Sequence, residues 1–392
     1  MEIIKPGTNI DFLAKRRTFA TLSIATIALV LALLPLRINL GVDFAGGTEI
    51  EVKFARSVDV DDLRGKVEAA GFEDASVQQI GAPEENSFLI RTGQVTILGE
   101  ADLERYREVF ARELQSYGFV GLSFNRSTGD LLDLRTEREV PEAELLRAAK
   151  AAGLPLTERD EPVRNLSRAG QPAYQFVLQG LSDRVSQALE AEFGQENVEV
   201  RRVEFVGPQV GKQLRNRGIM AVLLAMVGIV VYVLFRFDVR FAPGALLGLL
   251  HDVAVTLGYW VVTGREFNLT SVAVLLTVVG YSVNDTVVIF DRVREVMAHR
   301  KGMSLYDTIN AAINETLSRT IITGMTSILA LIGILLFVRG SLFDFSAAMI
   351  LGILAGTYSS IYITGPVALW IDARMQKRET ERKPEAGRRA QA

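Results

Sequence analysis

No cysteine occurs in the 392 residues, and only two histidines do, His251 and His299. The first absence excludes disulfides, thiol nucleophiles, Fe–S clusters and thiolate zinc sites. The second excludes a metal centre built on several imidazoles. The formal net charge is only −3, so there is no basic field to attract nucleic acid, and no such partner is expected. Neither a nucleophile constellation nor a metal cluster stands out, so no catalytic or metal-binding residues are assigned and an enzyme is not expected. The segment 207–212 (GPQVGK) superficially resembles a phosphate loop. Its glycines are one residue too close and no Ser or Thr follows the Lys, so ATP on this chain is not the energy source.

What is present is segregation. Hydrophobic residues make up 49% and charged residues 23% of the whole, but apolar runs dominate 18–36 and 218–371 while 49–217 is charged. That division predicts a membrane protein with a large extramembrane domain. Six stretches reach the roughly 20 residues needed to cross a bilayer: 18–36, 218–235, 241–262, 268–290, 319–338 and 343–371. Lys15, Arg16 and Arg17 precede the first, and Arg236 and Arg240 follow the second. Arg292, Arg294, Arg300 and Lys301 follow the fourth, and a basic tail from Arg374 follows the sixth. The short loops on the other side carry only Arg265 and Arg339. The distribution of positive charge predicts cytoplasmic termini (1–17 and 372–392) and an external, periplasmic domain over 37–217. The first run is nearly twenty residues long and lacks an A-x-A cleavage pattern, which reads as an uncleaved anchor.

Within the external domain, strand-like and helix-like patterns alternate. Strands are expected at 48–54, 75–80, 87–91 and 119–124, with helices at 59–70, closed by Gly71, and at 100–117. That is β-α-β-β-α-β, a ferredoxin-like order. It recurs with strands at 131–134, near Val163, at 173–179 and at 198–206, and helices at 142–152 and 182–193. The fold class is therefore a six-helix membrane protein with an external α+β domain of two ferredoxin-like (βαββαβ) units. An insertion into one interrupted unit is the alternative.

Polar groups inside the spans carry the chemical signal, because a charge at the bilayer centre costs at least about 2.5–3.5 kcal/mol. Asp252 lies midway along the third span beside His251, Asp285 lies in the fourth beside Asn284, and Arg319 opens the fifth. Thr277, Tyr281 and Asp285 are spaced four apart and share a helix face. Thr316, Arg319, Thr323 and Thr326 follow the same rhythm, with Ser327 adjacent. Ser304 with Asp307 resembles a helix cap, so the fifth helix is expected to start before the membrane and bring Arg319 to the depth of Asp285. Asp285 then gains and loses a proton while Arg319 changes partner, or the two form a permanent ion pair. Asp252 and His251 are relay members or hydrogen-bonded packing residues, with Asn284, Thr277, Tyr281 and Thr323 in support.

Small residues suggest how such a core closes. Gly244 with Gly248, and Gly352 with Gly356, form G-x-x-x-G steps. Gly41, Gly46, Gly47, Gly207 and Gly211 cluster where the chain leaves and re-enters the membrane, at 37–43 and 206–212. Their backbone freedom suits hinges, or else tight turns that start and end strands.

Several blocks carry a resemblance to a known family. The run 41–48 (GVDFAGGT) resembles the opening of the external domain of SecF proteins. So do 206–212 (VGPQVGK), 251–256 (HDVAVT), 280–295 (GYSVNDTVVIFDRVRE), 314–320 (NETLSRT) and 356–362 (GTYSSIY), in the family's order. The external domain is longer than usual for that family, with extra material near 95–172. The resemblance implies a Sec translocon accessory subunit of the resistance-nodulation-division superfamily in the bacterial cytoplasmic (inner) membrane. It implies SecD as partner, SecYEG, YajC and YidC as neighbours, and exported unfolded chains as clients. It implies no cofactor, with protons as the coupling ion. The family's functional residues fall on Asp285 and Arg319, and the companion acid on SecD. A half-size efflux transporter and a passive translocon scaffold are the competing functions.

Overall fold

The computed structural model describes residues 8–389 apart from 71, 73–74, 81–82, 94–99, 126–129, 158–160, 168–170, 301 and 339. Gly71, Lys301 and Arg339, used above, lie outside the described residues. The chain divides into two compact units, one over 1–39 with 217–392 and the other over 40–216.

The first membrane helix is α1 (Arg16–Arg37). The second unit follows with β1 (Gly47–Phe54), α2 (Val60–Ala69), β2 (Ser76–Ile80), β3 (Ser87–Thr92), α3 (Glu100–Glu113), β4 (Phe119–Asn125) and β5 (Leu131–Thr136). Then come α4 (Glu142–Ala152), β6 (Val163–Asn165), β7 (Ala173–Val177), α5 (Leu181–Phe193) and β8 (Val198–Val206). Local chemistry sets the ends. The Asp59 carboxylate accepts from the amides of Asp61 and Asp62 to start α2, and Gly153 ends α4 at φ 69°. A single-turn helix, Val42–Ala45, lies inside the GVDFAGGT run and was not expected.

Both expected sheets form, each with four antiparallel strands, in the orders β2-β3-β1-β8 and β4-β5-β7-β6. The grouping differs from the chain-order reading. Strand β4 was assigned to the sheet of β1, yet it pairs with β5, Leu122 opposite Leu134. The fourth strand of the first sheet is β8, with Gly47 opposite Val206 and Phe54 opposite Val198. The helices follow their strands. Leu63 and Val67 of α2 share a core with Val185 and Leu189 of α5. Phe110 of α3 and Leu114, just past its end, share another with Leu145 and Ala149 of α4. The first ferredoxin-like unit is thus interrupted after β3, and a second, begun by its own α-β pair, is inserted. Periodicity cannot decide this, because both α-β pairs are amphipathic and either completes a sheet.

The membrane unit continues with α6 (Pro208–Arg236), α7 (Ala242–Thr263), α8 (Leu269–His299), α9 (Leu305–Phe337) and α10 (Ser341–Ser359). One π-helical turn, Ser360–Thr364, joins α10 to α11 (Gly365–Arg389). Six of these helical segments are long and apolar enough to cross a membrane. Helix α6 starts ten residues before the span read from composition, so the GPQVGK segment is its first turn rather than a loop. Pro243 sits in the first turn of α7, Asn268 and Ser271 form a capping box for α8, and Ser304 caps α9.

The glycine steps let backbones meet. A methyl group at Gly244 would lie 2.6 Å from the Thr364 carbonyl oxygen, and one at Gly356 would lie 3.1 Å from Ser282 Cβ. At Gly352 it would collide with Val278. These approaches bring α7, α8 and the π turn around one polar interior.

Candidate functional site

Asp285 is 2% exposed, and its Oδ2 has no hydrogen-bond partner among the described residues. It lies 14 residues before His299, the end of α8, and Arg319 lies 14 residues after Leu305, the start of α9. At 1.5 Å per residue both are about 21 Å from the loop joining the two helices. Equal depth does not produce an ion pair, however. Asp285 faces inward and Arg319 is exposed on the outer face of α9, with no carboxylate within salt-bridge distance among the described residues.

The neighbours divide by face. Thr277 and Asn284 are exposed on the outer side of α8, and the Thr277 hydroxyl donates to the Ala273 carbonyl at 2.7 Å. Tyr281 is half-buried, and its buried hydroxyl has no partner among the described residues. On α9, Thr316, Thr323 and Thr326 return their hydroxyls to carbonyls of the preceding turn, Ala312, Arg319 and Ile322. Thr320, which the spacing argument passed over, is 2% exposed, and its hydroxyl has no partner among the described residues. Leaving a buried polar group unpaired costs about 1–3 kcal/mol. Asp285 and Tyr281, one turn apart on α8, and Thr320 on α9 each carry that cost.

Asp252 is the opposite case. It is fully buried, yet both oxygens are engaged. Oδ1 pairs with His251 Nδ1 at 2.9 Å, while Oδ2 accepts from Ser282 at 2.5 Å and Ser359 at 2.7 Å. The His251 ring stacks on Tyr358, centroids 5.4 Å apart. Tyr358 Oη lies 3.0 Å from the Phe19 carbonyl oxygen and 2.9 Å from Ser23 Oγ. Ser23, Ser282, Tyr358 and Ser359 were not singled out from the sequence. The only signal was the density of Ser, Thr and Tyr in 352–362, which names no partner.

The terminal glycines occupy close approaches. Gly41 precedes the Val42–Ala45 turn, and the Gly207 carbonyl accepts from Gly211 N–H at 2.9 Å at the start of α6. Gly46, at φ 80°, leaves no room for a side chain: a Cβ would lie 2.7 Å from Pro208 Cα. Gly47, at φ 137°, faces the Thr92 carbonyl oxygen more closely still, and Gly211 packs on Phe44 and Gly46.

Outside the membrane helices, Arg240 donates to Asp238 at 2.9 Å and to Asp372 at 2.8 Å. Hydrogen bonding from Arg240 holds the Asp238 carboxyl below its ordinary range.

Comparison with known proteins is consistent along the chain. Residues 185–374 match the family model described as protein export membrane protein SecD/SecF, C-terminal, and residues 36–58 match the SecD/SecF GG motif. The chain is 34% identical to the protein translocase subunit SecF of Koribacter versatilis over 377 residues, 94% of this chain and 92% of that one. It is 35% identical to that of Calditerrivibrio nitroreducens over 367 residues, 93% and 94% of the two chains. The Pseudomonas aeruginosa subunit is 34% identical over 370 residues, 94% and 93%. These alignments take in the long external domain, so it is shared with those relatives. Among solved structures, SecDF from Thermus thermophilus, a translocon-associated membrane protein, superposes with a TM-score of 0.61 at 26% identity over 94% of this chain. SecDF in its super-membrane-facing form gives 0.57 at 26% over 97%. The chain spans 39% and 41% of the length of those SecDF chains.

Proposed function

Because the chain belongs to the SecF protein translocase subunits of the SecD/SecF family, a transport protein and not an enzyme, we propose that it uses the proton gradient to promote protein export, with Asp285 as the proton-exchanging group. The observation carrying this reading is the contrast between two buried carboxylates. Asp252 has hydrogen-bond partners on both of its oxygens, whereas Asp285 Oδ2 has none among the described residues. An ionised carboxylate buried without donors is uncompensated, so the two protonation states differ greatly in their fit to the bundle. A permanent Asp285–Arg319 bridge would need the pair that is missing here.

Arg319 completes the reading. A guanidinium on the outer face of a membrane helix calls for a partner there, and SecD is that partner, supplying the companion acid. Asn284 and Thr277 lie on the outer side of α8 and join this contact, while Tyr281 and Thr323 flank the two charged groups. His251 and Asp252 stand apart as a satisfied pair. Both termini are cytoplasmic, and the α+β domain projects outside, as the loop charges indicate. SecYEG, YajC and YidC are the neighbours and unfolded exported chains the clients. Movement of the external domain is absorbed at Gly41, Gly46, Gly47, Gly207 and Gly211.

The test is Asp285→Asn, which keeps shape and removes titration. In vesicles holding the chain with SecD, proton uptake and its stimulation of export should both vanish while assembly persists. Arg319→Lys should be nearly as damaging, since an ammonium does not reproduce guanidinium geometry. Undiminished stimulation with Asn at 285 refutes the role, and loss of assembly in both variants returns the pair to a structural function.

A further inference from the structure

Helix α1 leads straight into the external domain, yet it is the most sparsely anchored of the membrane helices. Its buried residues are Ser23 and Val30 alone. Val30 meets Gly258, where a methyl group would lie 3.1 Å from Val30 Cγ2. Ser23 is 5% exposed and is the polar attachment. Tyr358 Oη donates its one proton to the Phe19 carbonyl at 3.0 Å, so Ser23 donates to Tyr358 at 2.9 Å. The Phe19 ring also meets Tyr358 edge-on at 5.8 Å and lies 3.9 Å from Tyr362.

From Tyr358 the contacts continue inward without a gap. Its ring stacks on His251, His251 pairs with Asp252, and Asp252 holds Ser282 and Ser359. Ser282 is one helical turn from Asp285 on α8. Ser359 is the last residue before the π turn. There is little slack for α8 to move alone: Gly356 abuts Ser282, and a methyl group at Gly352 would collide with Val278. A close-packed interior of this kind shifts between discrete arrangements rather than deforming smoothly.

We propose that the Asp252 cluster is a positioning hub that passes the state of Asp285 through His251 and Tyr358 to α1, and so to the external domain. This rests on Asp285 being the proton-exchanging group. Asp252 itself need not exchange a proton, because its role is to hold four helices in register. The π turn is the element with a second arrangement. Re-winding it as α-helix shifts the register by one residue and turns Tyr358 and Ser359 away from Ser23 and Asp252.

The experiment uses the full chain with SecD in proteoliposomes, recording proton uptake and export from the same preparation. Tyr358→Phe keeps the ring on His251 but removes the hydroxyl that reaches α1, and Ser23→Ala removes the other half of that bond. Each should leave proton uptake intact while export per proton falls about fivefold or more, the lower end of ordinary site-to-site coupling. The double variant should fall no further than either single one, and Ser23→Thr should restore the ratio. An unchanged ratio in both single variants overturns the proposal. So does a parallel loss of uptake, export and assembled complex, which would make the cluster merely structural. Retained uptake in Asp285→Asn would instead refute the underlying reading, so the two failures are distinguishable.

Discussion

Gly352→Ala is a small change whose effect follows from the packing. The new methyl would collide with Val278 Cγ2, lie 3.0 Å from Val278 Cγ1 and lie 3.1 Å from Thr256 Oγ1. Val278 is fully buried in α8, and a β-branched side chain within a helix keeps one rotamer, so rotation offers no escape. The helices must part instead, and overpacking of this kind costs about 1–3 kcal/mol. Val278→Ala alone removes two methyl groups and leaves a void, costing about 1.5–2.5 kcal/mol. Together the changes should relieve each other, because the added methyl occupies space that the valine vacated. The double variant should be more stable than the sum of the single losses by at least about 1 kcal/mol. Reversible unfolding of the four proteins in mixed detergent micelles measures this cycle. Additivity within about 0.5 kcal/mol, or Gly352→Ala at full stability, refutes the account of the α8–α10 contact.

Two other outcomes follow from features at the edges of the two units. Asp238 has a lowered folded-state pKa, so its contribution to stability is present above the unfolded carboxylate value of about 3.9 and is lost as pH falls through the lower folded value. Arg240→Gln should therefore shrink the acid limb of an unfolding-against-pH profile, and an unchanged limb below about pH 4 would contradict this. Gly47→Ala places a side chain at φ 137° against the Thr92 carbonyl, and should destabilise the external unit by about 1–3 kcal/mol in limited proteolysis of the full chain. If these joints also absorb motion, the same variant lowers export while Asp285 still takes up protons.

Much of this architecture is legible in the sequence because its determinants are local. Asp59, Asn268 and Ser304 cap the helices they precede, and apolar length alone marks the six spans. Asp285 and Arg319 stand out because charge is costly in a bilayer, and helical rise gives their shared depth. Long-range choices were not legible. Nothing in β4 or β8 says which sheet each joins, since both alternate in the same way and the decision lies in packing against distant strands. The orientation of α9 was likewise hidden. Counting by threes and fours gathered Thr316, Arg319 and Thr323 on one stripe but did not show that Thr320, outside it, is more deeply buried than any of them. Asp252 read as ambiguous because its partners come from other helices, Ser282 from α8 and Ser359 from α10.

The interleaving of the two ferredoxin-like units has a consequence in time. The inserted unit runs contiguously from α3 to β7, so all of its parts are available as soon as it has been made. The outer unit has three strands and one helix early, ending at Thr92, then waits for about 114 residues until α5 and β8, which ends at Val206, exist. At ordinary synthesis rates of about 5–20 residues per second, that is a delay of roughly 6–23 s. Until then β1, which ends as an inner strand, has one edge open to pairing. Maturation of the outer unit is thus gated by arrival of its last strand. Slowing translation across the insert should lengthen the protease-sensitive life of residues 47–92 without touching the insert's own.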